Sequence, residues 1–220
     1  MFILVDKSGS MKSPDNNPTG GEQHLWTRWD SAKVAANSIA EVAISLDANS
    51  TVDVMLWDSL RGRFQNSLTS INRSSEINTL FDNNHPERGS TPLYEALLEI
   101  YNKKLKDLLT RSEPFTVIIL TDGSPDYPNK VKSFFKTIIK DHRLEEKGRE
   151  TLAAFSFVRM GDDPGAINFL QDLDDNLIQE LDIKIDIVDT KEDNYLFGTG
   201  RYQGVEGVGP FGLFWSALYD

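Results

Sequence analysis

The sequence contains no cysteine, and this absence excludes several kinds of site. Without thiols the chain can form neither a disulfide bridge nor a zinc–thiolate cluster, and it has no cysteine nucleophile. Its histidines, His24, His85 and His142, lie too far apart for the paired helical spacing of a zinc protease. The lack of cysteine also fits a reducing compartment.

Basic residues and long apolar runs are scarce as well. The chain has 23 Lys and Arg against 34 Asp and Glu, a formal net charge of -11 that repels phosphate backbones and anionic lipid surfaces. The sequence shows no localised basic stretch, and no segment approaches the roughly 18 apolar residues of a membrane helix. Met1 opens directly into an apolar run without the basic segment of a secretory signal. We therefore expect no nucleic-acid partner, no membrane contact and a cytoplasmic location.

Strand and helix patterns alternate along the chain. Continuous apolar runs at Phe2–Val5 and Phe115–Leu120 are typical of strands buried on both faces, and helical spacing of apolar residues predicts a helix over Thr27–Leu46. The other predicted elements are strands at Thr51–Trp57, Arg61–Gln65, Leu152–Val158 and Ile183–Val188, and helices at Ser75–Phe81, Pro92–Leu109, Asn129–Leu144 and Pro164–Leu181. This alternation predicts an α/β fold, a doubly wound and mainly parallel sheet with helices on both faces.

The length of the chain suits one domain. With 220 residues, of which 39% are hydrophobic and 26% charged, the chain can bury one sizeable core but is short for two full domains. We therefore predict a single domain over residues 1–220. A tail rich in glycine and aromatic residues, 191–220, is predicted to end in a helix packed on the sheet through Phe211, Leu213, Phe214, Trp215, Leu218 and Tyr219.

Oxygen-bearing side chains follow both buried strands. Asp6, Ser8 and Ser10 come directly after the first strand, Asp122 follows the second, and Thr91 stands at a helix start between them. Ligands of a doubly wound sheet bind at the carboxyl ends of its strands, so we expect these segments to converge. Hydroxyl and carboxylate oxygens are the ligands that a hard cation requires. The sequence therefore predicts a site for one divalent cation, Mg²⁺, with Ca²⁺ and Mn²⁺ as alternatives.

These segments resemble the metal-ion-dependent adhesion site of the von Willebrand factor A (VWA) family. That pattern is Asp-x-Ser-x-Ser, a distant Thr, then Asp-Gly, and this sequence has all five ligand positions. The resemblance implies that Ser8 and Ser10 bind the ion directly and that Thr91 does so directly or through water. It implies a mainly water-mediated role for Asp6 and Asp122, together with the Rossmann-like VWA fold.

Other segments resemble the cytosolic branch of the family that is associated with tellurium-resistance and stress-response systems. They are Phe157–Asp163, Phe169–Leu170, Leu173–Asp175 and Asp186–Thr190, while Thr27–Lys33 is similar to the opening of the first helix in many members. The resemblance covers roughly residues 1–190. The loop from Met11 to Leu25 and the tail after Asn194 depart from it.

A mostly neutral set of ligands leaves a bound ion with much of its positive charge. The resemblance therefore implies a non-enzymatic, cation-dependent protein-binding domain, in which an Asp or Glu of a partner completes the coordination of the ion. A haloacid-dehalogenase-like phosphatase is an alternative. Asp6, Thr121 and the pair Asp162–Asp163 could take its nucleophile, hydroxyl and acidic positions, but Ser8 stands where that class needs an acid. A structural module with a vestigial metal site is a third hypothesis.

Two charged residues flank the predicted ligands. Asp126 is close enough in sequence to Asp122 to reach the rim of the site, although a loop carboxylate in an acidic protein is usually just solvated. Lys7 is adjacent to Asp6, but an outward-facing lysine is the simpler interpretation. We include neither among the predicted ligands.

Overall fold

A computed structural model describes residues 1–15, 26–46 and 51–192. Within these ranges one sheet contains the strands β1 (Phe2–Asp6), β2 (Val52–Leu60), β3 (Arg63–Ile71), β4 (Phe115–Thr121), β5 (Ala153–Arg159) and β6 (Val188–Glu192). Their order is β3-β2-β1-β4-β5-β6. Neighbouring strands are parallel except β2 and β3, which form an antiparallel hairpin. The predicted α/β class with a mainly parallel sheet is confirmed.

Helices cover both faces of this sheet. One face contacts α1 (Arg28–Leu46) and α2 (Ser75–Asp82). The other contacts α3 (Leu93–Ile100), α4 (Lys106–Arg111), α5 (Pro128–Asp141), α6 (Pro164–Asp175) and α7 (Leu177–Leu181). A π-helix, Tyr101–Leu105, joins α3 to α4, and a 3-10 helix, Gly9–Lys12, follows β1. The helices on both faces match the doubly wound arrangement.

The sheet separates two hydrophobic cores because successive side chains of a strand point to opposite faces. In β1, Phe2 and Leu4 belong to the larger core, whereas Ile3 and Val5 belong to the smaller one. Every residue of β1 is buried. Close packing on both faces therefore fixes the carboxyl end of β1, where the predicted site begins.

Several predicted elements differ from the structure, among them the helix predicted over Pro92–Leu109, which is interrupted by the π-helix between α3 and α4. The edge strand predicted over Arg61–Gln65 continues to Ile71, because its exposed antiparallel face admits polar side chains. The last strand is Val188–Glu192 rather than Ile183–Val188. Ile183 and Ile187 do enter the larger core, but from the connecting segment. The helix predicted over Pro164–Leu181 is divided at Asn176 into α6 and α7.

Part of the domain prediction concerns residues outside the described ranges. The proposed terminal helix lies there entirely, and so does most of the loop between Met11 and Leu25. The single-domain prediction for residues 1–220 and the terminal helix therefore stay predictions. In the described part of the chain, no helix combines the length and the apolar composition needed to cross a bilayer.

Candidate metal centre

Four of the predicted ligand residues lie in contact at the carboxyl edge of the sheet. Strands β1 and β4 are parallel neighbours, so Asp6 at the end of β1 and Asp122 just after β4 reach the same edge. Ser8 N donates to Asp6 Oδ1 at 2.7 Å, and Ser8 Oγ lies 3.0 Å from Ser10 Oγ. Ser10 Oγ donates to Asp122 Oδ1 at 2.8 Å. A continuous set of hydrogen bonds therefore joins the two loops.

The fifth residue, Thr91, reaches the same place from the segment before α3. A Cβ atom built on Gly123 would lie 2.8 Å from Thr91 Oγ1, so this hydroxyl packs against the backbone directly after Asp122. Asp126 anchors the segment: its Oδ1 accepts from Thr91 N at 3.2 Å, and its own N–H donates to Thr91 O at 3.0 Å. Asp126 is exposed, as expected of a loop carboxylate, but it also positions Thr91.

Backbone contacts also tie the Thr91 segment to the first loop and to β2. A Cβ atom on Gly9 would lie 2.8 Å from Glu87 O, and one on Gly89 would lie 2.2 Å from Ser59 O. Such distances leave no room for a side chain, so both positions require glycine. The loop after β1, the segment before Thr91 and the end of β2 are therefore packed side by side.

Asp6 is a buried carboxyl group with both oxygens engaged. It is 0% exposed, and besides the Ser8 contact its Oδ2 accepts a hydrogen bond from Thr121 Oγ1 at 2.7 Å. Burial, together with the negative charge of Asp122, raises the pKa of Asp6 to about 7, although hydrogen bonds from Ser8 and Thr121 favour its charged form. Burial and these two hydrogen bonds make the carboxylate of Asp6 a poor nucleophile for a phosphatase mechanism.

Arg28, the first residue of α1, supplies positive charge beside Asp122. Its Nη1 lies 2.9 Å from Asp122 Oδ2, with the two side chains 12% and 0% exposed. Burial raises the pKa of Asp122, and hydrogen bonds from Arg28 and Ser10 oppose that rise. Arg28 Nη2 also contacts the exposed Asp162 at 3.3 Å. Sequence analysis did not identify Arg28 as a site residue, although it lies in the Thr27–Lys33 segment that resembles the family's first helix.

The arrangement of oxygens fits a small hard cation. An octahedral Mg²⁺ ion with ligands at about 2.0–2.1 Å separates neighbouring ligand oxygens by about 3 Å. The hydroxyl oxygens of Ser8 and Ser10 are 3.0 Å apart, and two neighbouring buried carboxylates gain from any added positive charge. Among the described residues, no group of three or more His, Asp or Glu side chains is placed to hold a metal ion. The candidate site combines two carboxylates with three hydroxyls instead.

The mainly parallel sheet, the helices on both faces and the loops gathered at the carboxyl edge define a Rossmann-like α/β domain. The chain is similar to the VWA domain of SpRpn10, with a TM-score of 0.57 and 14% identity over 87% of this chain and 85% of that chain. It is also similar to the manganese-loaded TRAP protein of Plasmodium vivax, with a TM-score of 0.51 and 16% identity over 88% of this chain and 68% of that chain. No family model and no curated protein matches the sequence. These likenesses show that the chain has a VWA fold.

Replacing Asp6 with Asn should stabilise the metal-free protein at alkaline pH. Folding raises the pKa of Asp6 from 3.8 to about 7, so its contribution to stability is present below pH 4 and is lost as the pH rises through 7. We expect the free energy of unfolding of Asp6→Asn to exceed that of the wild type by about 1–2 kcal/mol at pH 8 in EDTA. The difference should shrink towards pH 4.

Urea denaturation between pH 4 and pH 8 measures this difference. Asp175→Asn, at an exposed position, is the matched control and should leave the pH dependence unchanged. A wild type more stable than Asp6→Asn at pH 8 in EDTA would contradict the assignment of a raised pKa to Asp6.

Replacing Arg28 with Gln should destabilise the protein by roughly 2–4 kcal/mol, because it leaves Asp122 buried without an opposite charge. Arg111→Gln is the matched control, since it breaks an ion pair with Glu113 whose side chains are 59% and 53% exposed. Its cost should be below about 1 kcal/mol. Chemical denaturation in EDTA compares the two variants, and equal losses would show that the Arg28 pair has no special role.

Proposed function

We propose that this protein is a divalent-cation-dependent protein-binding domain, in which a carboxylate of the partner binds an ion held at Asp6, Ser8, Ser10, Thr91 and Asp122. The main support is the hydrogen-bonded series from Asp6 to Asp122 at the carboxyl edge of a VWA fold. Mg²⁺ is the proposed ion because most of the donors are hard neutral oxygens. Mn²⁺ and Ca²⁺ are alternatives, and the manganese-loaded state of the TRAP neighbour supports the former.

Each predicted ligand has a distinct task in this proposal. Ser8 and Ser10 hold the ion directly, Thr91 holds it directly or through water, and Asp6 and Asp122 act mainly through water. When bound, the ion supplies an electrophilic centre for an oxygen from outside. The surrounding residues keep the ligands in place. Thr121 orients Asp6 by a hydrogen bond. One oxygen of Asp122 contacts Arg28, and the other accepts a hydrogen bond from Ser10.

Charge explains why the outside ligand should be a carboxylate. Neutral hydroxyls do not reduce the charge of an ion, and Arg28 already compensates part of the charge of Asp122. A bound cation therefore keeps a net positive charge at its open position. A protein with a formal net charge of -11 would otherwise repel an acidic ligand. The ion is thus the bridge to an Asp or Glu of the partner.

We further propose that the domain is not an enzyme and that it is cytoplasmic, in the branch associated with tellurium-resistance and stress-response systems. The enclosed carboxylate of Asp6 supports a binding role over phosphatase chemistry. The segment Phe157–Asp163, on which the branch resemblance partly depends, begins in the last three residues of β5 and continues beyond the carboxyl edge, where Asp162 contacts Arg28. Absence of cysteine agrees with a reducing compartment.

Removing both serine hydroxyls should abolish metal binding. We expect the wild type to bind one Mg²⁺ or Mn²⁺ ion weakly, since few charged ligands touch the ion, and the double variant Ser8→Ala, Ser10→Ala not to bind it. Isothermal titration calorimetry measures both. The control Ser67→Ala, Ser133→Ala removes two exposed hydroxyls elsewhere and should bind as the wild type does. Unchanged binding by the site variant would overturn the ligand assignment.

The losses of binding affinity caused by removing the ion and by removing the partner's acid should not be additive. An affinity purification in Mg²⁺ and in EDTA identifies a metal-dependent partner, whose candidate Asp or Glu is then changed to Asn or Gln. This change should weaken binding about as much as chelation does, because both remove the same bond. If chelation lowers the affinity further after the acid is removed, the ion does not bridge to that acid. If no partner binds in a metal-dependent way, the structural module is favoured.

A further inference from the structure

A basic hollow lies beside the candidate metal centre. It is an open surface depression of about 550 Å³, lined by Lys12, Leu60, Arg61, Glu87 and Arg88. Three cations against one carboxylate make it net positive, in a protein whose formal net charge is -11. Positive charge collected in a concave surface attracts anions locally, even when the protein as a whole repels them.

The hollow is formed by the loops that also carry the metal centre. Lys12 ends the 3-10 helix that begins at Gly9, two residues after Ser10. Arg88 precedes the Thr91 segment, and Arg61 lies in the turn between β2 and β3. The backbone contacts of Gly9 with Glu87 and of Gly89 with Ser59 hold these segments together. The basic hollow is thus assembled by the same loops that position the predicted ligands.

The positive charges of the hollow are available to an outside ligand. Lys12, Arg61 and Arg88 are exposed, and none of them forms an ion pair with another residue in the described ranges. Lys7 is different, because its Nζ lies 2.8 Å from the carboxylate of the buried Asp58. Leu60, 38% exposed, adds an apolar contact.

We propose that the basic hollow is an accessory binding site for the same partner segment, and that it selects segments with a second Asp or Glu near the acid that binds the ion. This inference rests on the proposed function. An extended chain advances about 3.3 Å per residue, so a second acid two to five residues from the first lies roughly 7–17 Å from it, and the spacing that fits the hollow is found by varying this number. Guanidinium groups suit this role because their planar donors match a carboxylate.

Nucleic acid is the poorer occupant of the hollow. A phosphate backbone is bound by several cations along a track, because its affinity comes from the counterions that each phosphate contact releases. Here three exposed cations stand in an otherwise acidic protein. A short acidic segment can place one carboxylate on the metal ion and a second one in the basic hollow.

The test uses a panel of twelve-residue Gly/Ser peptides and the full chain. One peptide contains a single Asp, others contain a second Asp two to five residues away, and a third group has Lys in that second position. Binding in Mg²⁺ and in EDTA is measured by NMR titration of ¹⁵N-labelled protein, which detects millimolar affinities. With wild-type protein in Mg²⁺, the best two-acid peptide should bind roughly three- to tenfold tighter than the one-acid peptide.

The readout is the ratio of the two-acid to the one-acid affinity. In the double variant Arg61→Gln, Arg88→Gln this ratio should fall to near one. The matched control Arg73→Gln, Lys147→Gln removes the same charge at exposed positions, one after β3 and one before β5. These positions lie at the opposite edge of the sheet, so the control should keep the wild-type ratio.

The outcomes separate this inference from the proposed function. If binding needs Mg²⁺ but the Arg61, Arg88 variant keeps the wild-type ratio, the accessory site is wrong and the bridging ion stands. If the two-acid preference persists in EDTA and disappears in that variant, the hollow is supported and the bridging ion is wrong. An equal fall in the control variant means a general charge effect and overturns the accessory site. No binding of any peptide at millimolar concentration overturns both.

Discussion

Two carboxylates, Asp6 and Asp122, are buried at the ends of neighbouring parallel strands, and the arrangement of the carboxyl edge depends on how they are stabilised. Burying one charged carboxyl group is costly, and a second one nearby adds repulsion. The groups around them are donors: a backbone N–H and the hydroxyls of Thr121 and Ser10. The hydroxyls of Ser8 and Ser10 therefore help to stabilise the loop itself, in addition to any role towards a ligand.

Of the two carboxylates, Asp122 is paired with an arginine. Arg28 contacts Asp122, while among the described residues no cation lies within ion-pair distance of Asp6. The charge of Asp6 can then be neutralised by a proton, as its raised pKa indicates, or by a cation from solution. The packing of β1 prevents Asp6 from turning outward to water, since the whole strand is buried. Because the two cores keep Asp6 buried, added positive charge at the carboxyl edge stabilises this carboxylate.

The convergence of the loops after β1 and β4 was predictable because its signals are local. Apolar runs that end in aspartate mark β1 and β4, and parallel strands bring their carboxyl ends to one edge whatever lies between them. Arg28 was not identifiable in this way, since its contact with Asp122 depends on how α1 is placed on the sheet. The predicted position of the last strand was wrong because it relied on Ile183 and Ile187. These residues are buried in a connecting segment, and their local pattern is the same as that of strand residues.

The basic hollow is the clearest case of a feature that only the fold creates. Lys12, Arg61 and Arg88 are far apart in sequence, and no charge pattern along the chain connects them. They meet because the turn after β2 and the segment before Thr91 pack on the loop after β1. The sheet itself is retained at 14% identity to the SpRpn10 VWA domain, so it cannot determine which partner is bound. In the proposed function, a metal ion would accept any carboxylate that reaches it, so selectivity would come from the side chains that surround it on these loops.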